Sequence, residues 1–137
     1  MPRLTCILET CLHVDNVEAS AQFCERLFGF RRVDADQRFC ALEVTAGSML
    51  LLFLQNGTQE PVTTPGGLIP SHGGAGELHL AFAIPAADLD AWEGCLVRSG
   101  ITIESRVTWP RGGTSLYFRD PDHHLVELAT PGIWPSY

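Results

Sequence analysis

The stretch LHVDNVEASAQFCERLFGF, residues 12–30, decides how the rest of the chain reads. Its first residues close an alternating segment, Cys6 to Val14, rich in β-compatible side chains. Asp15 or Asn16 then offers a side-chain oxygen to the open N–H groups of a helix start. Val17, Ala21, Cys24 and Leu27 or Phe28 recur at helical spacing and draw one apolar stripe. Gly29 stops the helix, as a glycine after the last turn does. A strand, a cap, an amphipathic helix and a glycine stop therefore follow one another within 30 residues.

Outward from this unit, Phe30 to Val33, Arg38 to Thr45 and Ser48 to Leu54 read as strands, with Gly47 in a tight turn between the last two. Residues 55–76 break the pattern, with three prolines and several glycines, among them those at 66, 67, 73, 74 and 76. A loop of that length in a small domain is usually functional or a linker. The order then repeats. Glu77 to Ile84 read as a strand and Pro85 breaks it. Ala86 to Ser99 read as a helix with Leu89, Trp92 and Leu96 on one face, and Gly100 stops it. Ile101 to Thr108, Thr114 to Phe118 and Leu125 to Ala129 read as strands, with Asp120-Pro121-Asp122 as a turn signal. The chain is thus βαβββ, linker, βαβββ. Gly29 and Gly100 lie 71 positions apart, and Glu9 and His79 lie 70 apart. The expected class is α+β. The expected organisation is one domain of two βαβββ modules, about 4–54 and 77–130, joined by the glycine- and proline-rich loop 55–76. A single four-stranded module leaves an apolar concave face, so two modules should pair into a curved-sheet cleft.

Composition narrows the function classes. The 137 residues are 45% hydrophobic and 18% charged, with net charge −7. All nine basic residues are Arg. Scattered arginines on an acidic chain supply no electrostatic footprint for nucleic acid. The missing lysine excludes Schiff-base chemistry and a P-loop lysine. Nothing approaches the about 20 consecutive apolar residues of a membrane span, and no signal peptide is read at the start. The five cysteines, at 6, 11, 24, 40 and 95, are odd in number and widely spaced, without a Cys-x-x-Cys pair. That pattern predicts reduced thiols in the cytoplasm rather than a disulfide framework or a cysteine-rich zinc site.

Three motifs carry a family resemblance. They are Leu12 to Ser20 with Phe23 and Leu27-Phe28-Gly29-Phe30, then His79-Leu80-Ala81-Phe82-Ala83-Ile84, and Phe118-Arg119-Asp120-Pro121-Asp122-His123-His124-Leu125-Val126-Glu127-Leu128. On these the chain resembles the vicinal-oxygen-chelate superfamily of glyoxalases, bleomycin-resistance proteins and extradiol dioxygenases. The resemblance covers nearly everything outside the loop, and the closing motif is its most specific part. It implies one divalent metal ion per site. The implied ligands are Glu9, counted back seven residues from Asn16, then His79 and Glu127. His13 is the alternative first-strand ligand, about 6–7 Å along the strand. A fourth ligand position falls near Leu51 or Leu52 and is apolar here, a departure from glyoxalase I. His123 replaces the glycine usual after Asp-Pro-Asp, where φ is often positive; histidine tolerates this better than most residues.

Two carboxylates and one imidazole form a hard, mixed donor set suited to Mn²⁺, Fe²⁺, Ni²⁺ or Zn²⁺. The bland alternative makes Glu9 and Glu127 solvated strand residues and His79 a core histidine. Glu9, Cys11 and His13 share a strand face. His13 is expected as a substrate contact or general acid/base, beside Glu127, and Cys11 as a small cavity-lining residue. His72 is a candidate lid residue, and Trp109, Arg111 and Tyr117 are candidate cleft residues. Arg111 or Arg38 would pair with an anionic substrate or remain a surface charge. Trp134 and Tyr137 should pack on the body or on a partner.

Two functions follow from the resemblance. The first is a divalent-metal-dependent lyase, isomerase, thiol transferase or dioxygenase acting on a small oxygenated molecule. The second is a metal-free binding protein that sequesters an aromatic or cationic drug. A homodimer is implied, with modules paired within a chain or swapped between chains.

Overall fold

In the computed structural model, which describes residues Met1–Tyr137, the predicted helix signal is realised at Val17–Phe28, labelled α1. The Asn16 side chain accepts the Ala19 N–H at 2.9 Å, so Asn16 and not Asp15 is the cap. Gly29 takes φ 71° and donates its N–H to the Glu25 carbonyl, the left-handed stop that a Cβ would strain. Val17, Ser20, Ala21, Cys24 and Leu27 are the buried face of α1.

The chain divides into two compact units, Met1–Ala75 and Gly76–Tyr137. In the first, β1 (Glu9–Val14), β2 (Arg31–Ala35), β3 (Phe39–Thr45) and β4 (Ser48–Leu54) form a sheet in the order β1-β4-β3-β2. β1 is parallel to β4 and the other pairs are antiparallel. α1 packs on β3 and β4, and Leu12, Val14, Leu42, Leu50 and Leu52, each at most 4% exposed, make the core. Burying each such leucine contributes roughly 1.5–3 kcal/mol. Arg32 on β2 reaches both Glu18 and Glu25 of α1, at 2.7 and 3.0 Å. Inside the expected loop lies a hairpin of β5 (Val62–Thr64) and β6 (Gly67–Ile69). Pro65-Gly66 is its turn, and the sequence reading did not foresee it.

The second unit repeats the order. β7 (His79–Ala83) is followed by a 3-10 turn, Ala86–Asp88, and α2 (Leu89–Arg98). Then come β8 (Ser105–Thr108), β9 (Thr114–Arg119) and β10 (Leu125–Ala129), with sheet order β7-β10-β9-β8. β7 is parallel to β10, as β1 is to β4. Leu96, Leu116, Phe118, Val126 and Leu128 are at most 3% exposed and form this core. His123 takes φ 62° as expected at the glycine position, and the Asp120 carboxylate accepts the Asp122 and His124 N–H groups to hold the turn.

Several boundaries differ from the sequence reading, most by one or two residues. The first strand starts at Glu9 rather than Cys6, although Leu8 still accepts the Met49 N–H. The second helix opens as a 3-10 turn because Pro85 precedes it and no side chain caps it. The strand expected from Ile101 starts at Ser105, since the Ile101 N–H is held by Leu96 at the end of α2. No helix is long and apolar enough to cross a membrane.

Candidate functional site

In the second unit His79 opens β7, at the edge of its sheet, and Glu127 lies in the middle of β10 between Ala81 and Tyr117. Strand register therefore sets both side chains. His79 Nδ1 lies 2.9 Å from the Leu125 carbonyl oxygen, and Nε2 lies 3.2 Å from Glu127 Oε2. A carbonyl only accepts, so Nδ1 carries the proton and Nε2 faces the carboxylate. Glu127 Oε1 accepts the hydroxyl proton of Ser115, and Ser115 Oγ in turn accepts the Trp109 indole N–H at 2.8 Å. The Glu127 side chain is only 9% exposed, whereas that of His79 is 49% exposed. A buried carboxylate with one hydroxyl donor calls for a positive charge on its other oxygen, where a protonated His79 Nε2 would supply it.

This cluster lines a pocket of about 420 Å³ with Ala81, Trp109, Tyr117, Trp134 and Tyr137 on its walls. Burial pushes the Tyr117 phenol up; the Ser115 hydroxyl opposes this in part and the Glu127 charge adds to it. Tyr117 therefore keeps its proton at neutral pH. Tyr137 anchors the tail by donating its hydroxyl to the Ala129 carbonyl at 2.7 Å. Trp134 stays 69% exposed at the pocket. Arg111 is exposed in the turn before β9 and is not on the pocket wall. Ser115 escaped the sequence reading because a lone serine in a strand reads as neutral. The available signal was its alternation with Tyr117, which puts both on the Glu127 side of β9.

In the first unit, Glu9, Cys11, Arg38, Leu51, Phe53 and His72 line a cavity of about 670 Å³. Phe39, Phe53 and His72 are its aromatic wall, with Phe53 and His72 edge to face at 4.8 Å between ring centres. His13 is 7% exposed and stacks on Phe53. Its Nε2 lies 3.2 Å from Thr58 Oγ1, which spends its own proton on the His72 carbonyl. His13 Nε2 is thus the donor. Burial, with Glu9 beside it, pushes the Cys11 thiol up, so it stays protonated.

The two units compare position by position. Cys11 pairs with Leu51 as Ala81 pairs with Glu127, so Leu51 and not Leu52 is the counterpart of Glu127. Glu9 opens β1 as His79 opens β7. Of the three predicted ligands, His79 and Glu127 are brought together in one unit, and Glu9 lies in the other. No group of three or more His, Cys, Asp or Glu side chains is placed to hold an ion.

The model of the Glyoxalase/Bleomycin resistance protein/Dioxygenase superfamily matches residues 7–128. Among solved structures, a lactoylglutathione lyase from Agrobacterium tumefaciens is 28% identical, covering 98% of this chain and 99% of that one, with a TM-score of 0.87. A glyoxalase/bleomycin resistance protein/dioxygenase from Nocardioides is 22% identical over 98% of this chain and 90% of that one, with a TM-score of 0.73. A fosfomycin resistance protein from Listeria monocytogenes is 19% identical over 93% and 94%, with a TM-score of 0.68. The last two share the fold. Among curated proteins none matches the sequence.

Proposed function

The chain belongs to the glyoxalase/bleomycin resistance protein/dioxygenase superfamily, and from that premise we propose a divalent-metal-dependent enzyme that acts on a small oxygenated molecule. Its chemistry is that of a lyase, isomerase, thiol transferase or dioxygenase. The observation that carries the reading is the His79–Glu127 pair at 3.2 Å, with the imidazole oriented by the Leu125 carbonyl. The donors fit a cation. Nδ1 is held against the Leu125 carbonyl, so the positive charge that the buried carboxylate oxygen needs would sit at Nε2, as a proton or as a metal ion that replaces it.

His79 and Glu127 would hold the ion, with Glu9 as third donor from the same chain or from a second copy in a homodimer. A bound divalent ion supplies Lewis-acid polarisation of a substrate oxygen, or oxygen activation if it is iron. The remaining work falls to the chain. Trp109 and Trp134 flank the substrate and exclude water. Tyr117, protonated at neutral pH, donates to a substrate oxygen as negative charge develops there. Glu127 and His13 are the groups assigned to proton movement. The apolar Leu51 at the fourth ligand position leaves that position to water or substrate.

One observation favours a metal-free binding protein for an aromatic or cationic drug. The first-unit cavity is walled by Phe39, Phe53 and His72, and Glu9 and Glu60 also line it. Elemental analysis of untagged protein beside the Glu127→Ala variant separates the two. About one divalent metal per chain, lost in the variant, is expected for the enzyme. Absence of metal after supplementation with Mn²⁺, Fe²⁺, Ni²⁺ and Zn²⁺ would sink the metalloenzyme and leave the binding protein.

A further inference from the structure

We infer that Ser115 and Trp109 are positioning residues that aim the Glu127 carboxylate, so that the affinity of the site for a divalent cation depends on a hydrogen-bond relay through the body of the second unit. This rests on the assignment of His79 and Glu127 as ligands.

The relay has one direction. The Trp109 indole has only a donor, and Ser115 Oγ accepts it at 2.8 Å. The single Ser115 proton is then left for Glu127 Oε1, which accepts it. Ser115 is 0% exposed, so no water competes for its hydroxyl. One carboxylate oxygen is thereby occupied from behind, and the other, Oε2, is turned toward His79 Nε2. A glutamate has three side-chain torsions, and without a bond to Oε1 it would sample several orientations in the pocket. Fixing one oxygen removes that freedom before a cation arrives and leaves one oxygen for single-point ligation.

The elements that hold the relay are rigid. Ser115 sits on β9 opposite Ala129, and Tyr117 sits opposite Glu127, so the strand ladder sets the Ser115–Glu127 spacing. Trp109 closes the β8–β9 connection, with its N–H on the Gly113 carbonyl at 2.8 Å. The tail locks the same turn. A Cβ on Gly113 would lie 2.7 Å from the Gly132 carbonyl carbon, so only glycine lets the tail approach that closely. His79 is positioned separately, through Leu125, so both ligands of the pair are held from outside by neighbouring groups.

The test is calorimetric titration of the metal-stripped full chain with Zn²⁺, for the native protein and for Ser115→Ala, Ser115→Thr and Trp109→Phe. Ser115→Ala should weaken Zn²⁺ binding roughly 10–100-fold, as loss of such supporting partners does. Ser115→Thr keeps the hydroxyl and should restore native affinity. Trp109→Phe keeps the ring and loses only the N–H, so its affinity should fall between the two. A second readout is indole emission in a Trp134→Phe background. Zn²⁺ does not quench by itself, so a change on titration that disappears with Ser115→Ala reports the relay directly. If Ser115→Ala unfolds, Trp109→Phe decides, because its thermal melt can be checked against the native one. Native affinity in both Ser115→Ala and Trp109→Phe overturns the relay while leaving the ligand assignment intact. No Zn²⁺ binding by the native chain overturns both.

Discussion

Replacing Glu127 by Gln should make the metal-free protein more stable. The carboxylate is 9% exposed, and its two oxygens see one hydroxyl and one imidazole. A neutral amide keeps the Ser115 bond and offers a donor to a neutral imidazole. Its oxygen accepts the Ser115 hydroxyl, and its NH₂ donates to His79 Nε2 when the imidazole carries a single proton, on Nδ1 against Leu125. What disappears is a charge whose desolvation costs several kcal/mol. Against this stands the stronger hydrogen bond to a charged acceptor, about 1.5–3 kcal/mol against about 0.5–1.5 for a neutral one. Even where the imidazole is protonated, it is half exposed, so its attraction is screened and adds little. The balance favours Glu127→Gln by about 1–2 kcal/mol, or roughly 3–8 °C in a chain of this size. The assay is thermal unfolding followed by circular dichroism after chelation and dialysis. With Zn²⁺ at about 100 times its Kd, the native protein gains about 2.7 kcal/mol and the order reverses. A Glu127→Gln melt below that of the native protein without metal would refute the reasoning. It would mean that the carboxylate is retained as a stabilising ion pair and not held at a cost for a cation.

Two further outcomes follow from the same geometry. The chain has two tyrosines, and burial raises the phenol of each, Tyr117 with help from Glu127 and Tyr137 against the Ile84 carbonyl. The folded protein should therefore show less than half-maximal phenolate absorbance at the ordinary tyrosine value of about 10. A folded value above the unfolded one contributes stability below that value and loses it as pH rises through the folded one, so unfolding midpoints should fall from about pH 10 upward. Phenolate absorbance already half complete at or below pH 10 in the folded state would contradict this. In the second case, Gly113→Ala should push the tail off β9, because the contact at 2.7 Å is with backbone that has no rotamer to yield. The expected loss is about 1–3 kcal/mol, with faster proteolysis after residue 130, read by mass spectrometry.

Both helices and most strands of the core sheets could be read from local pattern, since each reports a face that the chain must bury. The Asn16 cap, the Gly29 stop and the strand Ser48–Leu54 needed only neighbours in sequence. The hairpin Val62–Thr64 with Gly67–Ile69 was hidden because three-residue strands around Pro65 carry too little periodicity to stand out from a loop. The site divides in the same way. Glu9, His79 and Glu127 were accessible because the two modules repeat their spacing, which turns a 70-residue offset into a shared strand position.

The sequence by itself determined the repeated βαβββ order, the αL turn at His123 and the family, because these depend on periodicity, on backbone φ and on motifs whose residues lie close along the chain. Only the tertiary structure decided that Leu51 is the counterpart of Glu127, that Ser115 and Trp109 stand behind that carboxylate, and that His13 is tied to Thr58 beneath an aromatic wall. Those facts depend on which residues a parallel or antiparallel ladder sets side by side, and a one-residue slip in register would turn each of these side chains to the opposite face of its sheet.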